Sequence, residues 1–180
     1  AVGHSMGGQT VGMLLGARLT DPKRLEDTDV SVMEPRIKTG VLLAPPGRGG
    51  DNLSEFAREN FSELNPDYSH LSTASLVVVG DEDVNPFMTV RGAEWYRAAF
   101  EDGPGASHLL SLVGGQHGLG GIAGYDAKET GDEDPDRLAV VQRATSAFLY
   151  THLYDNDPSW SQTQEVLQSH AAALATVETK

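Results

Sequence analysis

The stretch Ala1-Val2-Gly3-His4-Ser5-Met6-Gly7-Gly8 decides how the rest of the chain is read. It sets a serine among small residues, after the apolar end of a strand remnant. Residues 9–19 follow, in which Val11, Leu14, Leu15 and Leu19 fall at helical spacing. A sharp strand-to-helix turn of this kind pushes the serine oxygen into the open. The helix beginning there offers unpaired backbone N–H groups to negative charge.

Downstream, residues 21–35 are charged and bounded by prolines, as in a solvated surface connection. Residues 37–44 form a short apolar run stopped by Pro45-Pro46-Gly47, the profile of a buried strand. A short helix is expected over residues 53–61, with Asp51 or Asn52 near its cap. Residues 75–79, Ser-Leu-Val-Val-Val, predict a second buried strand ending at Gly80-Asp81-Glu82-Asp83, and residues 89–100 an amphipathic helix carrying Trp95, Tyr96 and Phe100. A third strand is expected over residues 107–113, running into the glycine-rich loop 114–121 around His117. Asp134-Pro135 has the chemistry of a helix start, with Leu138, Val141, Phe148 and Leu149 on its apolar face. A last helix begins near Asp157-Pro158 and carries Val166, Leu167 and Leu174. Strands alternating with helices predict an α/β fold with a mostly parallel sheet flanked by helices. Three full strands are few for such a sheet, so the chain reads as part of a larger one.

Composition narrows the function. The 180 residues carry 26 acidic and 13 basic side chains, a net charge of −13 that repels phosphate backbones and anionic membranes. Nucleic-acid binding and membrane insertion are therefore not expected; no apolar run approaches the roughly 20 residues of a bilayer span. With no cysteine there is no thiolate nucleophile, disulfide or thiolate zinc site.

Gly3-His4-Ser5-Met6-Gly7 fits G-x-S-x-G, the nucleophile elbow, and its context supports the match. An acid and a histidine follow, each just past a strand end. Ser5, Asp83 and His117 thus give the chain order Ser, Asp, His, and parallel strands deliver such residues to one edge of a sheet. Asp81 and Asp51 are rivals for the acid. His4 is expected to pack away from the serine, and His70, His108, His152 and His170 to be structural.

Together, Gly-His-Ser-Met-Gly-Gly, the Gly-Asp-Glu-Asp after a valine-rich strand and the Gly-Gly-Gln-His-Gly loop resemble the α/β-hydrolase superfamily over roughly residues 1–154. The likeness is to its serine esterases and lipases, with the flavour of chlorophyllase, dienelactone hydrolases and cutinase-like polyester hydrolases. The resemblance implies an eight-stranded, mostly parallel sheet with the elbow after its fifth strand, so this chain corresponds to the C-terminal portion of the fold. Residues 1–180 then read as a single, N-terminally truncated domain, with a C-terminal helical extension over 155–180. In resembling enzymes a G-x-x-D after the penultimate strand carries the acid, which points to Asp83. Dienelactone hydrolases usually carry cysteine as nucleophile, so Ser5 argues against that activity. Met6 N–H carries over as one oxyanion donor, and no residue here is assigned as the second. Because one lost donor costs about 100- to 1000-fold in turnover, weak activity is expected of this chain alone.

The reaction expected is ester hydrolysis through an acyl-enzyme, with no metal or organic cofactor implied and a small-molecule ester as partner. A noncatalytic remnant or subunit of the same fold is the alternative, and a nucleotide-binding domain a weaker third. Pro46, Phe87 and Leu119 are candidates to line the acyl pocket. Only about 30 residues, 45–74, separate one strand end from the next strand, which leaves little for a lid and favours accessible or short acyl esters. A cytoplasmic location is favoured, with secretion compatible with the abrupt start; oligomeric state is not specified.

Other motifs fall short. Asp81-Glu82-Asp83-Val84-Asn85 opens like a calcium loop, but Pro86 and Gly92 stand where glycine and glutamate are needed. Residues 118–123 match G-x-G-x-x-A without leaving a strand directly for a helix. The acidic residues Asp132, Glu133, Asp134 and Asp136 read as a solvated loop leading into a helix.

Overall fold

The computed structural model describes residues 1–19, 31–124 and 131–180; most of the charged connection expected over 21–35 lies outside them. The elements run β1 (Val2–His4), α1 (Met6–Leu14), β2 (Arg18–Leu19), β3 (Gly40–Leu43), α2 (Glu55–Asn60), β4 (Pro66–Asp67), β5 (Ser75–Gly80), α3 (Ala98–Asp102), β6 (Ala106–Leu112), α4 (Pro135–Leu153), α5 (Ser159–His170) and β7 (Ala175–Thr179). Five strands form one sheet in the order β1-β3-β5-β6-β7, and β2 pairs with β4 in a separate ribbon. The pairs β1–β3, β3–β5 and β5–β6 are parallel, whereas β7 returns antiparallel to β6. This is an α/β fold with a mostly parallel sheet flanked by helices.

Strands β3 and β5 are buried along their whole length because helices leave them no wet face, and β6 buries its Leu109, Leu110 and Leu112. Val41, Leu42, Leu76, Val77, Val78, Leu109, Leu110 and Leu112 are all buried. Each such side chain contributes about 1.5–3 kcal/mol when withdrawn from water. Helix α1 packs on β1 and β3, α3 on β5 and β6, α4 against β3 and β5, and α5 on β7 and α4. No helix among the described residues is long and apolar enough to cross a membrane.

Several elements differ from expectation. The helix expected over 89–100 begins later, as a 3-10 turn at Ala93–Arg97 running into α3. Its first residues are drawn into a bridge instead: Thr89 pairs with Leu53, and Val90 N–H and the Thr89 hydroxyl both donate to the Asn52 carbonyl. Helix α2 is capped by Ser54, whose hydroxyl accepts from Ala57 N–H at 3.0 Å, while Asp51 and Asn52 sit in a preceding 3-10 turn. The predicted start of α4 is as expected, with the Asp134 carboxylate accepting from Asp136 and Arg137 N–H and Pro135 in the first turn. Within the extension over 155–180, helix ends at His170 and strand β7 follows. The β-branched Thr176, Val177 and Thr179 suit an edge strand, and Arg97 holds it from outside through two 2.9 Å bonds to Glu178.

Candidate active site

Strands β1, β3, β5 and β6 run in one direction, so their C-terminal ends share a rim. Ser5 follows β1 directly, Asp83 lies just past β5, and His117 lies on the loop after β6. The structure brings these three side chains together. His117 Nε2 is 2.9 Å from Ser5 Oγ, and His117 Nδ1 is 2.7 Å from Asp83 Oδ2. A carboxylate can only accept, so Nδ1 carries the proton and the Nε2 lone pair faces the serine hydroxyl. Asp83 is 2% exposed, while the His117 side chain is 36% exposed. The carboxylate is thus dry and the imidazole reachable.

Ser5 adopts φ 55° and ψ −122°, a conformation rare for a residue with a side chain. Strain of this kind costs about 1–3 kcal/mol and persists only where surroundings impose it. Here Ser5 N–H donates to the Leu43 carbonyl at 2.9 Å and the Ser5 carbonyl accepts from Gln9 N–H at 3.1 Å, locking the turn between β3 and α1. Gly3 makes the turn sterically possible, because a Cβ there would lie 2.2 Å from the Gly7 carbonyl oxygen. At Gly7 itself a Cβ would meet nothing within 4 Å, so the demand for a small residue falls on the strand side of the serine. Met6 opens α1 and is 48% exposed, and first-turn N–H groups have no partner within their helix. Its N–H is therefore available as a donor beside Ser5.

The rival acids have other partners. Asp81 Oδ1 accepts from Gly114 N–H at 2.7 Å, tying the end of β5 to the His117 loop. Asp51 is exposed on its turn, 3.9 Å from Arg58. Of the residues expected to line an acyl pocket, Pro46 and Leu119 are buried, and the Pro46 carbonyl accepts from the Tyr68 hydroxyl. Phe87 is 74% exposed. Among the remaining histidines, His108 and His152 pack with Phe148, and His108 meets Thr179 at 3.0 Å.

Three neighbours of His117 escape the sequence reading. His4 packs, and its partner is the candidate base: its ring centroid lies 4.8 Å from that of His117, and its Nε2 is 2.8 Å from the His117 carbonyl. The buried Tyr96 ring lies 5.4 Å from His117. Burial and the nearby Asp83 carboxylate push its phenol up, so it keeps its proton. Asp132 is not part of a solvated loop; it is 6% exposed, and its Oδ2 accepts from Gln116 N–H at 2.8 Å and Gly120 N–H at 3.4 Å. Isolated carboxylates in a run of acids look solvent-bound until tertiary amides are known to converge on one of them.

Gly80 joins the acid strand to the histidine loop. A Cβ there would lie 2.2 Å from the Gly115 carbonyl oxygen, a backbone atom that cannot swing aside. Gly80→Ala is expected to cost about 1–3 kcal/mol, read as a lower urea midpoint. An unchanged midpoint would show that the loop yields freely.

Compared with known families and curated proteins, the chain matches no family model and no curated sequence.

Proposed function

We propose that this chain is a serine hydrolase that cleaves carboxylic esters through an acyl-enzyme, on a fold of the α/β-hydrolase kind. The observation that carries the proposal is the hydrogen-bonded series from Asp83 through His117 to Ser5, a serine held at positive φ beside a helix N-terminus. Oriented nucleophile, base and buried acid in this order are the parts that acyl transfer requires.

In this reading Ser5 Oγ attacks the ester carbonyl as its proton passes to His117 Nε2. Charge developing on the carbonyl oxygen is met by Met6 N–H. The tetrahedral intermediate collapses as His117 returns the proton to the alcohol leaving group. Water then attacks the Ser5 ester by the same route and frees the acid. Asp83 keeps Nδ1 protonated and stabilises the imidazolium without taking its proton. A base of this kind must be neutral to accept the serine proton.

A fluorophosphonate probe tests the proposal directly. The folded wild-type protein at neutral pH is expected to form a phosphonyl adduct on Ser5, mapped by mass spectrometry, with none on Ser5→Ala. A folded wild-type chain that stays unlabelled would overturn the enzymatic reading and favour a noncatalytic protein of this fold.

A further inference from the structure

We infer that His4 is a positioning residue that ties the His117 loop to the serine turn, an inference that rests on the hydrolase reading above. The need for such a tie comes from the loop itself. Residues 113–121 contain turns but no helix or strand, and Gly114, Leu119, Gly120 and Gly121 all have positive φ; Asp81 and Asp132 hold the neighbouring Gly114 and Gln116 amides, which leaves the His117 residue itself to be placed by its own contacts. The distance from Nε2 to Ser5 Oγ nevertheless has to be held, since a 1 Å misplacement of a reacting group can cost about 100-fold in rate.

His4 is suited to hold it. It is the last residue of β1, in register with Leu43 of β3, and Ser5 follows it in the chain. The His117 carbonyl can only accept, so the 2.8 Å contact requires His4 Nε2 to carry a proton and donate it. Burial pulls the His4 imidazole below its usual range, which keeps it neutral and adds no second charge beside an imidazolium at His117. The tilted ring contact at 4.8 Å supports the His117 side chain from the same residue that anchors its backbone. One side chain, rooted in the sheet next to the nucleophile, thereby fixes both ends of the base. Tyr96, 5.4 Å away, supplies a second ring against the imidazole.

The experiment compares wild type with His4→Phe, which keeps a ring but loses the donor, and His4→Gln, whose amide can place an N–H near the lost Nε2. His4→Phe is expected to lower kcat on p-nitrophenyl acetate, and the rate of fluorophosphonate labelling, by about 10- to 100-fold with KM within about twofold. His4→Gln is expected to recover most of that loss. Equal kcat and labelling rates in wild type and folded His4→Phe would overturn the inference while leaving the hydrolase reading intact. A folded wild type that is not labelled at Ser5 would instead overturn the hydrolase reading. Should His4→Phe fail to fold, imidazole nitrogen shifts of the wild type decide: the Nε2–H tautomer of His4 is expected, and the Nδ1–H tautomer would overturn the inference.

Discussion

Asp83→Asn is expected to lower kcat on an activated ester by about 10⁴-fold with the fold intact. Asn nearly matches Asp in volume, so the 2% exposed pocket that holds the carboxylate can still be filled. The chemistry of the contact changes. Where the carboxylate only accepts, an amide also offers N–H, and that N–H can donate to Nδ1 across the 2.7 Å gap. The neutral imidazole then carries its proton on Nε2, pointing at the Ser5 oxygen it should deprotonate. The variant also lacks the negative charge that stabilises the imidazolium. Labelling of Ser5 by a fluorophosphonate should slow by a similar factor, and a matching urea midpoint would show that folding is preserved. Asp81→Asn is the control: its partner is the Gly114 amide, so the loss expected is under about tenfold. A loss under tenfold in Asp83→Asn would remove Asp83 from the reaction.

The convergence that motivates this experiment is legible in the sequence, because it follows from strand direction. The buried strands announced themselves as apolar runs, and parallel strands must end at one rim, so a serine, an acid and a histidine placed just past three strand ends are brought to one edge. What periodicity could not carry were contacts made across the rim. Strand β7 is too short for its alternation to register, since its five residues place only Ala175 and Val177 on the covered face. The late start of α3 depends on a bridge between Leu53 and Thr89, a pairing that local sequence does not encode. His4 illustrates the same limit at the site. Its place beside Ser5 was visible, but its partner is a carbonyl 113 residues away. The β-branched residues near the C-terminus were the one available signal for β7.

Asp132 shows how much a single such contact can weigh. Asp132→Ala is expected to destabilise the protein by about 2–4 kcal/mol, since hydrogen bonds to charged groups contribute about 1.5–3 kcal/mol and orphaned partners add their own penalty. The carboxylate accepts from the Gln116 and Gly120 amides through one oxygen, and its other oxygen lies 3.5 Å from Arg137 Nη1. Arg137 in turn donates Nε–H to the Val113 carbonyl at 2.8 Å, so both ends of the His117 loop run through this pair. Alanine would leave the Gln116 amide without its acceptor and Arg137 without its most buried counter-charge. With a urea slope of about 2 kcal/mol/M, the midpoint should fall by roughly 1–2 M. Asp132→Asn keeps an acceptor but no charge, and should fall between alanine and wild type. The two variants separate the hydrogen-bond contribution from the charge contribution, and kcat measured where each remains folded reports whether the loop still presents His117 to Ser5. A midpoint for alanine within about 0.2 M of wild type would mean that water replaces the carboxylate without loss, and that the histidine loop is held by its contacts with the elbow and the end of β5.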